Sequence, residues 1–263
     1  MLRWLTGILF VVLSSTALAA VKGEEVQYQD DGVTLKGYLA YDDAIKDKRP
    51  GILVVHEWWG HNDYTRKRAR MLAEMGYTAL AVDMYGDGKQ ANHPEDAKKF
   101  SGALFADHAV LRARFQAAEK FLKKHKTVDR KRIGAIGYCL GGGVVLEMAR
   151  AGENLVGVAS FHGGLGTPSP AQKGKVKAQV LVLNGAADSF VTAEQIENFK
   201  KEMETAGVKY RFINYPGAKH SFTNPDADKY AEQFKMPIAY NAEADKQSWA
   251  EMSKFFDGLF KKK

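Results

Sequence analysis

Arg132-Ile-Gly-Ala-Ile-Gly-Tyr-Cys-Leu-Gly-Gly-Gly-Val144 is the stretch on which the reading of this chain turns. The apolar run from Arg132 to Ile136 passes into Gly137-Tyr138-Cys139-Leu140-Gly141, and Gly141-Gly142-Gly143 then opens a helical pattern from Val144 to Arg150. A strand, a Gly-x-nucleophile-x-Gly turn and a helix make a nucleophile elbow. The tight turn forces unusual backbone angles on its central residue, and glycines on either side remove side chains that would clash around it. The central residue also meets the N-terminus of the helix, where unpaired N–H groups and the dipole favour negative charge. Here that residue is Cys139, the only cysteine among 263 residues. The alternative, a small buried apolar cysteine beside a glycine turn, needs elbow spacing and strand context to coincide by accident.

Outward from the elbow, strands and helices alternate. Two extended segments come first, Glu25 to Gln29 and Val33 to Tyr41, and Asp30-Asp31-Gly32 between them signals a hairpin. Ile52 to His56 reads as a short buried strand, Asp63 to Met75 as a helix stopped by Gly76, and Thr78 to Val82 as a strand. Pro94 to Lys124 carries helical periodicity with an interruption near Ser101-Gly102 or Asp107. After the elbow follow strands at Val156 to Phe161, Gln179 to Asn184 and Tyr210 to Tyr215. A helix at Ala193 to Ala206, capped by Thr192 and ended by Gly207, separates the last two. Pro216 to Tyr240 reads as an irregular covering loop and Glu243 to Phe260 as a closing helix. The class is therefore α/β, a mostly parallel central sheet with helices on both faces and an N-terminal antiparallel hairpin.

Met1 to Ala20 combines Arg3, an apolar stretch from Leu5 to Leu13, and Ser14-Ser-Thr-Ala-Leu-Ala-Ala20. This is the pattern of a secretory signal peptide cut after Ala19 or Ala20, and the apolar core is short for a bilayer span. The expectation is an exported, periplasmic protein without stable membrane insertion, with residues 21–263 as a single domain of a size that buries a sizeable core. One cysteine cannot form a disulfide within the chain, and in an oxidising compartment a lone thiol is either buried and inert or needed as a thiolate. The formal charge of +7 comes from cations spread along helices, such as Arg66, Lys67, Arg68 and Arg70, which reads as solvated helix faces and excludes a nucleic-acid role.

In this layout the remaining catalytic groups stand just beyond strand C-terminal ends, in the order nucleophile, acid, base. Asp188 follows the run Val180 to Leu183, and His220 follows Phe212 to Tyr215. Both fall in the required order after Cys139. His220 keeps the thiol proton transferable, and Asp188 sets the imidazole tautomer and stabilises its charged form. Individually, Asp188 reads equally well as a helix-capping residue and His220 as a surface loop residue; the elbow unites them.

Gly-Tyr-Cys-Leu-Gly-Gly (137 to 142), Gly185 to Asp188 and Gly-Ala-Lys-His-Ser-Phe (217 to 222) resemble the dienelactone hydrolase family of α/β hydrolases. The resemblance takes in Glu57, Val82-Asp83-Met84-Tyr85 and the terminal helix, so it spans about Glu25 to Phe260. It implies the α/β-hydrolase fold and a carboxylate at Glu57 that contacts the resting thiol and accepts its proton when substrate displaces it. It also implies oxyanion donors at the N–H groups of Trp58 and Leu140. Where family members grip a substrate carboxylate with two arginines, this chain has Asn224 at one position and only Lys89, Lys98 and Lys99 near the other. Lys and Asn do not replace bidentate Arg recognition, and Trp58 and Trp59 are expected to reshape the pocket. The implied substrate is an ester or lactone other than dienelactone itself.

Other motifs fail on spacing. In His56-Glu57-Trp58-Trp59-Gly60-His61 the histidines are five apart rather than four and follow a strand, so no zinc site is expected. His162-Gly163-Gly164 comes after the nucleophile and reads as a turn at the site's rim; His93, His108 and His125 read as surface residues. The expected protein is a cysteine-dependent ester or lactone hydrolase with a Cys139–His220–Asp188 triad, acting on a small molecule and needing no cofactor. A thiol redox or peroxide sensor and a non-catalytic ligand-binding module on the same scaffold are the alternatives. The sequence leaves the oligomeric state open, and a monomer is compatible with it.

Overall fold

The computed structural model describes residues 21–261, so the signal-peptide reading falls on residues outside the described ones. Eight strands form one sheet: β1 (Val21–Asp30), β2 (Val33–Asp42), β3 (Arg49–Val55), β4 (Thr78–Val82), β5 (Val128–Tyr138), β6 (Gly157–Phe161), β7 (Gln179–Gly185) and β8 (Tyr210–Tyr215). Their spatial order is β1-β2-β4-β3-β5-β6-β7-β8. The first two pair antiparallel through the Asp31-Gly32 turn, whose positive φ values of 42° and 77° suit a tight hairpin. β2 also runs antiparallel to β4, and every later pairing is parallel. A mostly parallel sheet with helices on both faces and an antiparallel hairpin at its start is the architecture of the α/β-hydrolase fold.

Helices cover both faces: α1 (Asp63–Glu74), α2 (Pro94–Ala106), α3 (His108–Lys124), α4 (Leu140–Arg150), α5 (Ala193–Thr205), α6 (Ala227–Phe234) and α7 (Ala242–Phe260). Successive strand side chains point to opposite faces. Leu53, Val55, Val180 and Val182 therefore pack with Phe115 of α3, Val145 of α4 and Phe199 of α5. Ile52, Val54, Leu181 and Leu183 pack with Leu72 of α1 and Met252 and Phe256 of α7. Because both faces are covered, the central strands carry unbroken buried runs such as residues 52–55 of β3, 133–138 of β5 and 180–183 of β7, without period-2 alternation.

One expectation is met and another is corrected. The helical stretch from Pro94 to Lys124 breaks at Asp107, whose carboxylate accepts from the N–H groups of Ala109 (2.9 Å) and Val110 (3.1 Å) and caps α3. The segment from Pro216 to Tyr240 is not wholly irregular, since it contains α6. Eight residues are too few to hold a helix alone in water. Tyr230 and Phe234 of α6 stack on Trp59 instead, with ring centroids 4.5 and 5.9 Å away.

Candidate active site

The C-terminal ends of β3, β5, β7 and β8 lie along one edge of the sheet, and residues just beyond them meet there. Cys139 joins β5 to α4 with φ 52° and ψ −114°, a strained conformation for a residue with a side chain. Its flanking glycines are required by space. A Cβ on Gly137 would fall 2.0 Å from the Gly141 carbonyl oxygen, and one on Gly141 would fall 2.3 Å from that of Val55. The Cys139 N–H donates to the Phe161 carbonyl (3.0 Å) and to His162 Nδ1 (3.1 Å).

His162 is completely buried beneath the elbow rather than on the rim where the sequence pattern put it. Because Nδ1 accepts, the proton sits on Nε2, which donates to Thr223 Oγ1 at 2.8 Å. Burial holds this ring well below the ordinary histidine range, with the charge on His220 acting in the same direction. It therefore stays a neutral buttress. Thr223 Oγ1 in turn lies 2.6 Å from the Tyr64 hydroxyl, which accepts from Arg68 Nε at 3.3 Å.

His220 Nδ1 lies 2.8 Å from Asp188 Oδ2, and the Asp188 side chain has no solvent exposure. Burial opposes charge on His220, but Cys139 and Asp188 outweigh it and raise the imidazole to about 10. The thiol is half-buried and lines the same two cavities as the His220 ring. Glu57 is buried, 1 % exposed. Its Oε2 accepts from Asn224 Nδ2 at 2.6 Å, and its Oε1 has no partner among the described residues. Burial raises this carboxyl above the ordinary glutamate range, and the Asn224 hydrogen bond only partly offsets it. Asn224 thus serves the site's own carboxylate at the position where the family resemblance implies a substrate-gripping arginine. Lys89, Lys98 and Lys99 are exposed and line neither cavity at the sulfur.

The Trp58 N–H and the Leu140 N–H, the latter the first of α4, make no hydrogen bond among the described residues. They are free to receive developing negative charge. Their loop is held from three sides. The Tyr85 hydroxyl donates to the Trp58 carbonyl (2.8 Å), Gly141 N–H donates to the His56 carbonyl (3.1 Å), and His56 Nε2 accepts from Met84 N–H (3.2 Å). His56 Nδ1 spends its proton on the Glu57 carbonyl at 2.5 Å, so the ring has no lone pair left for a metal. Asp83 fixes the opposing loop by accepting from the N–H groups of Lys36, Tyr85, Gly86 and Gly88. Trp58 faces the cleft, while Trp59 turns away to stack on α6 and does not line it.

The sequence places Tyr85 and Ser221 in family-like segments, Asn224 where the family's arginine is missing and His162 at the rim, and shows none of these contacts. Their sequence neighbourhoods signal only "polar near a strand end"; the partners come from elements more than sixty residues away in several cases, as with His162 and Thr223.

A strained residue between β5 and α4, an acid after β7 and a base after β8 define an α/β hydrolase. The sequence matches the dienelactone hydrolase family over residues 35–260, and the chain belongs to that family. It is 27% identical over 223 residues to Protein usf of Aquifex pyrophilus, covering 83% of this chain and 95% of that one. It is 28% identical over 206 residues to a putative carboxymethylenebutenolidase of Aquifex aeolicus, covering 77% and 87%. Among solved structures, a dienelactone hydrolase-like promiscuous phosphotriesterase from metagenomic libraries superposes with a TM-score of 0.85 at 34% identity, covering 92% of this chain and 99% of that one. The protein is thus a hydrolase of small molecules, and among the described residues no helix is long and apolar enough to cross a membrane.

Proposed function

We propose that the protein is an exported cysteine hydrolase that cleaves an ester or lactone through an acyl-enzyme. The observation that carries this reading is the strained Cys139 at the N-terminus of α4, lining the same cavities as a His220 whose Nδ1 is 2.8 Å from Asp188 Oδ2. The Cys139 thiolate attacks the carbonyl carbon, and the oxyanion is received by the N–H groups of Trp58 and Leu140. His220 gives its proton to the departing alcohol, leaving a thioester. It then takes a proton from water, whose hydroxide attacks the thioester, and the released thiolate regains its imidazolium partner. Asp188 holds the tautomer throughout. Glu57, whose carboxyl burial raises above the ordinary glutamate range, accepts the thiol proton once substrate shifts the Asn224 contact.

The test is turnover of a panel of p-nitrophenyl esters and small lactones by the mature protein and by Cys139→Ala, under reductant. Turnover abolished in the variant is the expected result. Equal turnover in both forms, or none in either while Cys139 still alkylates readily, would overturn the reading. Export predicts a mature N-terminus at residue 20 or 21, read by N-terminal sequencing of the protein from the producing cells.

A further inference from the structure

Two separate cavities open onto the same sulfur. The larger, about 460 Å³, runs from Cys139 past Leu140, Phe105, Pro168 and Val191 to His108 and Glu147. The smaller, about 260 Å³, is lined by a different set, Trp58, Ser221, Met236 and Ile238. Cys139, His220 and Phe190 line both. Phe190 stands edge-on to the His220 ring with centroids 5.0 Å apart, and its N–H is pinned to Asp188 Oδ1 at 2.8 Å. It is nevertheless 50 % exposed, and Phe105 across the larger cavity is 37 % exposed. Large apolar side chains left facing water at a cleft are a mark of ligand contact.

The charge lining is equally specific. No lysine or arginine lines either cavity among the described residues, and the only ionisable carboxylate there, Glu147, sits in the larger one. Arg150, the guanidinium paired with Glu147, is fully committed: Nη1 to Glu147 (2.8 Å), Nε and Nη2 to Glu202 (both 2.8 Å) and Nη2 to the Leu165 carbonyl (2.8 Å). Arg68, the other buried guanidinium near the site, is held by Asp245 and the Thr223 carbonyl. A substrate carboxylate would lose its hydration and find no lysine or arginine in exchange, since the His220 imidazolium is already taken by Asp188 and the thiol, and in the larger cavity it would face Glu147.

We propose that the site takes an uncharged ester with an apolar group on each side of the reacting carbonyl, one in each cavity, and that Phe190 is the partition that sorts them. This rests on the hydrolase reading above and narrows its substrate class. Unequal cavities mean that the enzyme distinguishes which side of the ester carries the longer arm. Phe190 enforces that choice by keeping the two spaces apart at the sulfur.

Two comparisons test it with the full mature enzyme. Phenyl butanoate is compared with monophenyl succinate and with 4-carboxyphenyl butanoate, which place a carboxylate at the acyl end and at the alcohol end. A fall in kcat/KM of at least about tenfold for each anion is expected. Octyl acetate is then compared with its isomer ethyl octanoate. The wild type should prefer one by several-fold, Phe190→Ala should bring the ratio towards one, and Phe190→Leu should retain most of it. The readout is a ratio within each variant, so a general loss of rate through the His220 contact does not imitate the effect. Anions turned over as fast as the neutral ester, or an isomer ratio unchanged in Phe190→Ala, would overturn the proposal and leave the hydrolase reading standing. No Cys139-dependent turnover of any ester would overturn both.

Discussion

Glu57→Gln is expected to make the protein more stable and less active, and the stability gain should grow with pH. The glutamine keeps an oxygen for Asn224 Nδ2, which sits 2.6 Å from the present carboxylate, and removes only the charge. Burial raises the folded-state carboxyl above its ordinary value of 4.5. Below pH 4.5 the group holds its proton in both states, so ionisation costs the fold nothing. Above it the unfolded chain releases the proton while the folded chain retains it, and wild-type stability falls as pH rises until the folded group ionises too. The slope in that window is about 1.4 kcal/mol per pH unit. For a chain of this size about 1 kcal/mol moves Tm by roughly 2–4 °C. Wild type should therefore lose about 3–5 °C relative to the variant for each pH unit inside the window. Thermal unfolding followed by circular dichroism from pH 4 to pH 8 on both proteins measures the difference, and ester turnover measured alongside should drop in the variant. A Tm difference that stays constant with pH, or a variant less stable than wild type at pH 8, would refute the assignment of Glu57 as a buried carboxyl at odds with its surroundings.

Three further outcomes follow from the same geometry. Asp188→Asn keeps an acceptor for the Phe190 N–H but places an amide against His220 Nδ1, and kcat/KM for an ester should fall by about 10³–10⁴ with little change in Tm. Cys139→Ser removes the leading influence that favours the His220 imidazolium. The wild-type histidine, raised to about 10, contributes stability that is complete below pH 6.5 and lost as pH climbs through 10. In the variant that loss should shift to lower pH, as read by histidine NMR titration. Gly141→Ala sets a methyl 2.3 Å from the Val55 carbonyl oxygen and 2.7 Å from that of His56, both backbone atoms that cannot swing away. It should cost about 1–3 kcal/mol in chemical denaturation and abolish turnover, because the shift opens the hydrogen bond between the elbow and the Trp58 loop.

The chain by itself specified the parts whose physics is local. The Gly-x-Cys-x-Gly spacing is legible because Gly137 and Gly141 are needed within a few residues of the turn they permit. Thr192 and Gln195 form a capping box that marks the start of α5 from four consecutive positions. Strand β4 and strand β8 are bounded as their apolar runs indicate, and the order Cys139, Asp188, His220 follows from counting strand ends. Strand ends elsewhere, such as the extra turns of ladder from Val21 in β1, depend on a partner strand that supplies hydrogen bonds and so leave no local mark. Helix α6 exists because Trp59, from the other side of the site, stacks on it. His162 became a buried buttress because Thr223, sixty-one residues on, accepts from it. Asn224 turned inward because Glu57, 167 residues earlier, leaves a buried carboxylate that needs a donor. Burial and long-range pairing set the electrostatics of this site, and both are properties of the packed chain. Periodicity and turn chemistry report only what neighbours along the sequence require.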